Sequence, residues 1–368
     1  MTLGPPPRTL LVLSSDSRRG AELEGAALAD ELTALGTQTQ AVALAPGKDG
    51  PATGAAVLGE KPLSFSTLRA LRRLAKQSDM VVGYGSKSLP ACAIALVGLK
   101  TPFVYRSIGN PQDWVRGRLH RWRTALLFRR AAHIVALWPE AATAIQRIYG
   151  IKPDNTSALP NARAAQDFLP ADNNEQEAAR GALGIAPDAR VVLFLGSLSD
   201  EKRPEVIPAI AAELPDDVFI IVGSGPLDKA VRDSAGQSVG DVRVLGPTND
   251  ARAIIACADL MVSPSRTEGM PGSLLEAAMM GVPAVATDVG GVGEVVGDGG
   301  LLLPAEALPS EYATALEAAF KDRKILGENA RKHALRRFTS TDVAQQWADL
   351  LASVQVSPAG RRRARPDS

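Results

Sequence analysis

With 368 residues, 45% of them hydrophobic and 22% charged, the chain is too long and too apolar for a stapled mini-protein or a disordered segment, and it has room for two or three domains. Its two cysteines, Cys92 and Cys257, and three histidines, His120, His133 and His333, form no CxxC, HExxH or HxH spacing, and Leu10–Leu13 is too short for a signal-peptide core; with no apolar run of ~18 residues, the expectation is a cytoplasmic protein without a disulfide framework, a CxxC metal knuckle, a His-built zinc site or a membrane span. The formal net charge is +1, but residues 1–165 hold 21 Lys and Arg against 11 Asp and Glu, and the remainder 20 against 29, so the first half would suit an anionic surface, or be a solvated imbalance with no partner.

Short apolar runs alternate with helical patterns along the whole chain. Residues 9–14 read as a buried strand and 20–35 as a helix. A strand near 38–44, a Gly/Pro-rich loop at 45–62 and a helix at 66–77 follow. Strands at 79–82, 102–105 and 133–137 then alternate with helices at 88–97, 114–130 and 139–149. Continuous apolar strands separated by helices mean βαβ units and a parallel sheet covered on both faces. Pro160–Arg163 and the polar Asp172–Gln176 break this rhythm and read as a hinge region. The alternation restarts with strands at 191–195, 218–222, 242–245, 260–263, 283–287 and 301–303. Helices lie near 205–213, 227–235, 250–257 and 273–280, with three more near 310–320, 324–337 and 340–353. The tail, with Arg361, Arg362, Arg363 and Arg365, reads as disordered. The fold class is therefore α/β, with two doubly wound parallel sheets and a cleft between them. Ligands in such sheets bind in the loops beyond the carboxyl ends of strands.

The loops after the strands hold the candidate chemistry. Glu268 and Glu276 bracket Gly-Met-Pro-Gly-Ser-Leu-Leu, between the strand at 260–263 and the helix at 273–280. Glycines there let a backbone approach a ligand, and the opening amides around Gly272, Ser273 and Leu274 favour phosphate. Glu268 is free to accept hydrogen bonds from hydroxyls, and Glu276 lies near the same ligand. Two carboxylates around an anion site suit a sugar nucleotide; the spacing also fits an acidic cap for the helix dipole. Gly196–Lys202 follows the strand at 191–195 and resembles a phosphate cradle, although GxxxxGK[ST] is absent. Lys202 would supply a point charge there, or be a surface lysine. Gly223-Ser-Gly-Pro226 and Gly246–Asp250 are ordinary turn chemistry by themselves. Ser17–Glu22 follows the first strand, with Gly20 permitting close backbone approach.

Taken together and in this order, E-x7-E, G-x-L-x-x-E-K, G-x-G-P and L-G resemble the retaining glycosyltransferases of the GT-B fold, family four. Arg19–Glu22 resembles that family's acceptor loop. Ala131–Leu137 and Leu159–Asn161 resemble two further segments of it. The resemblance implies a nucleotide-sugar domain at 166–338, an acceptor-side domain at 1–165, a helix at 339–355 packing back towards the first domain, and a tail at 356–368. It implies that Glu268 holds donor-sugar hydroxyls, with Met270, Pro271 and Gly272 touching the sugar by backbone. The amides of Ser273 and Leu274 would meet the diphosphate, Glu276 the ribose diol, Lys202 the leaving diphosphate and Thr248 the base edge. Gly20 would sit against phosphate or acceptor. The donor would be a UDP- or GDP-linked substrate, and no metal or other cofactor would be needed. Transfer would retain anomeric configuration by same-face attack.

Four positions depart from the pattern. Ser197 stands for an arginine five positions before Lys202, Tyr105-Arg106-Ser107 stands where a histidine is usual, and Arg19 and Ala162 replace glycines. Arg106, at a strand's carboxyl end, is expected to supply the missing cation. Two other functions fit the same motifs: a sugar-nucleotide 2-epimerase, and a non-catalytic nucleotide-sugar-binding module. Nucleic acid rests on charge alone. The acceptor is open among lipid, glycan and small molecule.

The segment Trp114–Arg130 holds six arginines, two tryptophans, Phe128 and no acid. It could lie on acidic lipid. Alternatively, Leu119, Trp122, Leu126 and Leu127 face the core, which is preferred because any packed helix is amphipathic.

Overall fold

The computed structural model describes residues 7–17, 20–47, 53–112, 114 and 117–356. The chain divides into two compact units, Met1–Ala162 with Ser340–Ser368, and Arg163–Thr339. The first boundary thus falls three residues before the expected 165. The expected tail at 356–368 lies, beyond Val356, outside the described residues.

In the first unit the order is β1 (Arg8–Leu13), α1 (Gly20–Ala34), β2 (Gln38–Ala43), β3 (Ala56–Val57), α2 (Phe65–Ala75), β4 (Met80–Tyr84), α3 (Ser88–Ala95), β5 (Phe103–Arg106), α4 (Arg118–Phe128), β6 (His133–Ala136), α5 (Pro139–Tyr149) and β7 (Thr156–Ala158). The sheet runs β3-β2-β1-β4-β5-β6-β7 with parallel pairing throughout. Leu10, Leu11, Val12 and Leu13 of its central strand are buried, as a strand covered on both faces requires. Two strands escape the sequence pattern. β3 lies inside the expected loop at 45–62, and both of its residues are exposed. β7 is three half-buried residues at the opposite edge. An edge strand with no buried face carries no alternation to read.

The second unit holds α6 (Asn173–Ala182), β8 (Val191–Leu195), α7 (Ile207–Glu213), β9 (Val218–Val222), α8 (Asp228–Ala235), β10 (Asp241–Gly246), α9 (Ala251–Ile255), β11 (Leu260–Ser263), α10 (Gly272–Met280), β12 (Ala284–Thr287), α11 (Val292–Val296), β13 (Gly300–Leu303), α12 (Pro309–Lys321) and α13 (Arg323–Arg337). Its sheet runs β10-β9-β8-β11-β12-β13. The polar run at 172–176, expected as hinge, instead starts α6. Asp172 accepts from the Glu175 amide at 2.8 Å, and Glu175 accepts in return from the Asp172 amide at 3.2 Å. This reciprocal cap outweighs the weak apolar face of the helix.

α14 (Ser340–Val356) belongs to the first unit. Its Val343, Trp347, Leu351 and Val354 join Leu11, Leu32 and Met80 in one apolar core, and Ser340 donates to Glu31. Among the described residues no helix is long and apolar enough to cross a membrane.

α4 corrects one expectation. Leu119, Trp122 and Leu126 are 69%, 61% and 41% exposed, and the buried side consists of Thr124, Ala125 and Phe128. The core contact is made by Phe128, which packs against Tyr105, Trp114 and Tyr149 at 5.7, 6.3 and 4.9 Å between ring centroids. One aromatic ring with its small neighbours fills the space, and the leucines of the opposite side are left in solvent.

Candidate functional site

In both sheets the strand order reverses once, between β1 and β4 and between β8 and β11. Such a reversal splays the connecting loops apart at the carboxyl ends and leaves a ligand-sized crevice. β8 and β11 pair directly, Val192 with Leu260 and Leu193 with Met261, so the loops carrying Lys202 and Glu268 leave the sheet side by side.

The β8 loop is shaped by glycines of its neighbour. A Cβ on Gly223 would lie 1.8 Å from the Gly196 carbonyl oxygen, and one on Gly225 would lie 2.4 Å from that of Leu198. The Leu198 amide donates to Ser224 O at 3.0 Å, and the Leu227 amide to Leu198 O at 2.9 Å. The G-x-G-P turn therefore carries the loop. It sets the approach of Lys202, whose Nζ reaches both carboxylate oxygens of Glu268 at 2.5 Å.

Glu268 is 7% exposed. A carboxylate so buried needs its charge matched, and Ser265 Oγ adds a 2.8 Å bond to Oε1. Ser265 is itself anchored, its carbonyl accepting from Thr287 Oγ1 at 2.5 Å. The far side of the loop is fixed by Gly290 (φ +60°), where a Cβ would fall 1.9 Å from Glu268 O. Next to it, the Gly291 amide donates to Gly269 O at 2.7 Å. Sequence reasoning missed Gly290; its signal was a Gly-Gly pair that begins three residues after β12 ends.

Pro271 caps α10 without a side-chain bond, so the Gly272, Ser273 and Leu274 amides are the orphan donors of a helix start. Met270, Pro271 and Leu274 are buried, while Gly272 and Ser273 are half-buried. Arg163 lies across this turn. Its Nε donates to Glu276 Oε1 at 2.7 Å, and a Cβ on Gly272 would lie 2.3 Å from one of its guanidinium nitrogens. Gly272 thus makes room for an arginine. The sequence marked Arg163 only as part of a hinge, two residues after the Leu159-Pro-Asn segment.

The structure joins Lys202 to Glu268, and Glu276 to Gly272 through Arg163. Ser197 is exposed on the β8 loop. Thr248, also exposed, follows β10 at the sheet edge and folds its hydroxyl onto Asp250 O at 3.1 Å. Gly20 opens α1 in the first unit, with open space where a Cβ would be; Arg18 and Arg19 lie outside the described residues. Among the described residues no three His, Cys, Asp or Glu gather as metal ligands would.

Arg106 is not where the sequence placed it. It is 1% exposed. Its guanidinium donates to Ala136 O at 2.9 Å, to Leu159 O and to Asn161 Oδ1 at 3.1 Å, and it stacks 5.6 Å from the Trp347 ring centroid. A cation spent on carbonyls of its own unit is a structural clasp. The end of β5 points its last side chain into the layer beneath α14 rather than outward.

A family model described as glycosyl transferases group 1 matches residues 189–322, and one described as glycosyl transferase 4-like domain matches residues 19–162. D-inositol 3-phosphate glycosyltransferase 2 of Catenulispora acidiphila is 31% identical over 60% of this chain and 56% of its own. The D-inositol 3-phosphate glycosyltransferase of Geodermatophilus obscurus is 32% identical over 64% of this chain and 56% of its own. The chain thus spans little more than half the length of these curated relatives. Anabaena HepE in complex with UDP and glucose superposes with a TM-score of 0.82 at 21% identity, covering 94% of this chain and 100% of that one. WaaG, a glycosyltransferase involved in lipopolysaccharide biosynthesis, gives 0.72 at 20% identity, covering 93% and 99%. The two likenesses show a shared GT-B fold, and the two halves of the chain separately resemble a glycosyl transferase 4-like domain and the glycosyl transferases group 1.

Proposed function

We propose that the protein transfers a sugar from a nucleotide-sugar donor to an acceptor hydroxyl, with retention at the anomeric carbon and without a metal. The observation that carries this reading is the Lys202–Glu268 pair at the strand-order reversal, beside the start of α10. The C1–O bond to the diphosphate breaks, and the C1–O bond to the acceptor forms on the same face. The acceptor proton passes to the departing phosphate oxygen. Lys202 Nζ and the α10 amides of Ser273 and Leu274 take up the negative charge that develops there. Glu268, its carboxylate already bound by Lys202 and Ser265, receives sugar hydroxyls rather than attacking carbon. Glu276 takes the ribose diol.

Arg163 supplies the cation absent at Ser197. Its guanidinium already lies over Gly272, where a pyrophosphate bound to the helix start would meet it. Met270, Pro271 and Gly272 line the sugar by backbone, Thr248 meets the base, and Gly20 belongs to the acceptor side. The donor is UDP- or GDP-linked. UDP-glucose is the first to test, since HepE has been crystallised with it in this fold. The acceptor to test first is D-inositol 3-phosphate, for which the relatives are named.

A melting-point screen over UDP-, GDP- and ADP-sugars identifies the donor, because a ligand of the folded state alone raises the midpoint. Proton NMR of the product with that donor then reads its anomeric configuration. An α-linked product from an α-linked donor is expected. A β-linked product refutes retention. Isomerised free sugar without acceptor indicates an epimerase, and binding with no turnover a binding module.

A further inference from the structure

We propose that α4 is a docking surface for a lipid bilayer bearing anionic headgroups. At 100° per residue, Leu119, Trp122 and Leu126 fall within a sector of roughly 60° on one side of the helix. Arg118 and Arg129 border that stripe on one side and Arg123 on the other. All six side chains are exposed, so no described neighbour covers this face. Between Trp114 and Arg130 there is no Asp or Glu. A helix turned only to solvent has no use for a tryptophan and two leucines in line. A helix lying in a bilayer interface buries such a stripe among acyl chains while its flanking arginines meet phosphate groups.

The basic character continues past the helix. Lys100, Arg129 and Arg130 line a cavity of about 370 Å³ at the starts of β5 and β6, with Asp154 as the acidic group among them. Charge on both borders of one apolar ridge selects an anionic bilayer over an uncharged protein groove. α4 shares no residue with the donor site, so this inference does not depend on the proposed chemistry.

The test is sedimentation of the full chain with vesicles of phosphatidylcholine alone, or of phosphatidylcholine with an equal part of phosphatidylglycerol. Two double variants accompany the wild type: Leu119→Ser with Trp122→Ser, and Arg118→Gln with Arg123→Gln. Because all four positions are exposed, melting points should match the wild type, which separates surface loss from unfolding. Wild type should pellet with the phosphatidylglycerol vesicles only. Each arginine lost should lower partitioning roughly fivefold, and the apolar pair should lower it by about tenfold or more. Absence of pelleting, equal pelleting with neutral vesicles, or pelleting that the apolar variant retains overturns the proposal. The last result would indicate a simple polyanion contact instead.

Discussion

Arg163 and Glu276 are tied by a 2.7 Å hydrogen bond across the first turn of α10, so the carboxylate assigned to the ribose and the cation assigned to the phosphate already hold each other before a donor arrives. A bound donor would divide them, its diol taking one and its pyrophosphate the other. Replacing Arg163 with Ala should raise the donor dissociation constant about tenfold, the loss of one charge-assisted contact. Arg163→Lys should recover part of the loss. Isothermal titration with the UDP-sugar decides. Tighter binding by the alanine variant would mean that Arg163 only blocks the site.

In the proposed reaction Lys202 faces the charge that grows on the leaving group, so it should matter more to turnover than to binding. Lys202→Ala should lower kcat by about 100- to 1,000-fold, the scale of a lost electrostatic donor at a developing anion, with a smaller effect on KM. Steady-state kinetics with circular dichroism melting makes the check, since the buried Glu268 also loses its partner.

Gly290→Ala places a methyl group where only 1.9 Å separates it from Glu268 O, in a left-handed backbone. Strain of about 1–3 kcal/mol is expected, with a lower urea midpoint and weaker donor binding as the Glu268 loop shifts. An unchanged midpoint would contradict the tight seam described at this loop.

Arg106→Ala should destabilise the fold by about 2–4 kcal/mol, because buried carbonyls lose their donor and a space opens beside Trp347. Activity per folded molecule should stay at the wild-type level. A loss of turnover in fully folded protein would restore Arg106 to the reaction.

His133 is buried, and burial lowers its pKa. Its Nε2 lies 3.0 Å from Ser157 Oγ. The unfolded chain therefore binds a proton, near pH ~6.5, that the folded chain refuses. Stability should be full above that pH and fall as acid is added below it. A His133→Asn variant should show a flatter slope between pH 7 and 5 in chemical-denaturation series.

The alternation of apolar strands and helices was legible because both sheets are buried on two faces, which writes an unbroken run such as Leu10–Leu13 into the sequence. β3 and β7 were not legible, since two or three exposed edge residues leave no pattern. α6 was misread because its signal is a cap, Asp172 with Glu175, and not a stripe. At the site, Lys202 and Glu268 could be named from spacing, but their 2.5 Å contact is a tertiary fact of β8 lying against β11. Arg163 and Gly290 act through side-chain direction and backbone clearance, which no local spacing encodes. Arg106 shows the reverse error. A residue at the carboxyl end of a strand has the right address for chemistry, yet its side chain can still turn inward.

The return of α14 has a consequence for how the molecule is made. Trp347, 1% exposed, fills a core whose other walls, Leu11, Leu32 and Met80, leave the ribosome some 260 or more residues earlier. Vectorial synthesis therefore releases residues 1–162 with an open apolar trough, while every strand and helix of the second unit is available before that trough is filled. The first unit is thus completed only after the second, and any nonsense codon ahead of Ser340 would leave greasy surface on a half-built domain for chaperones to cover.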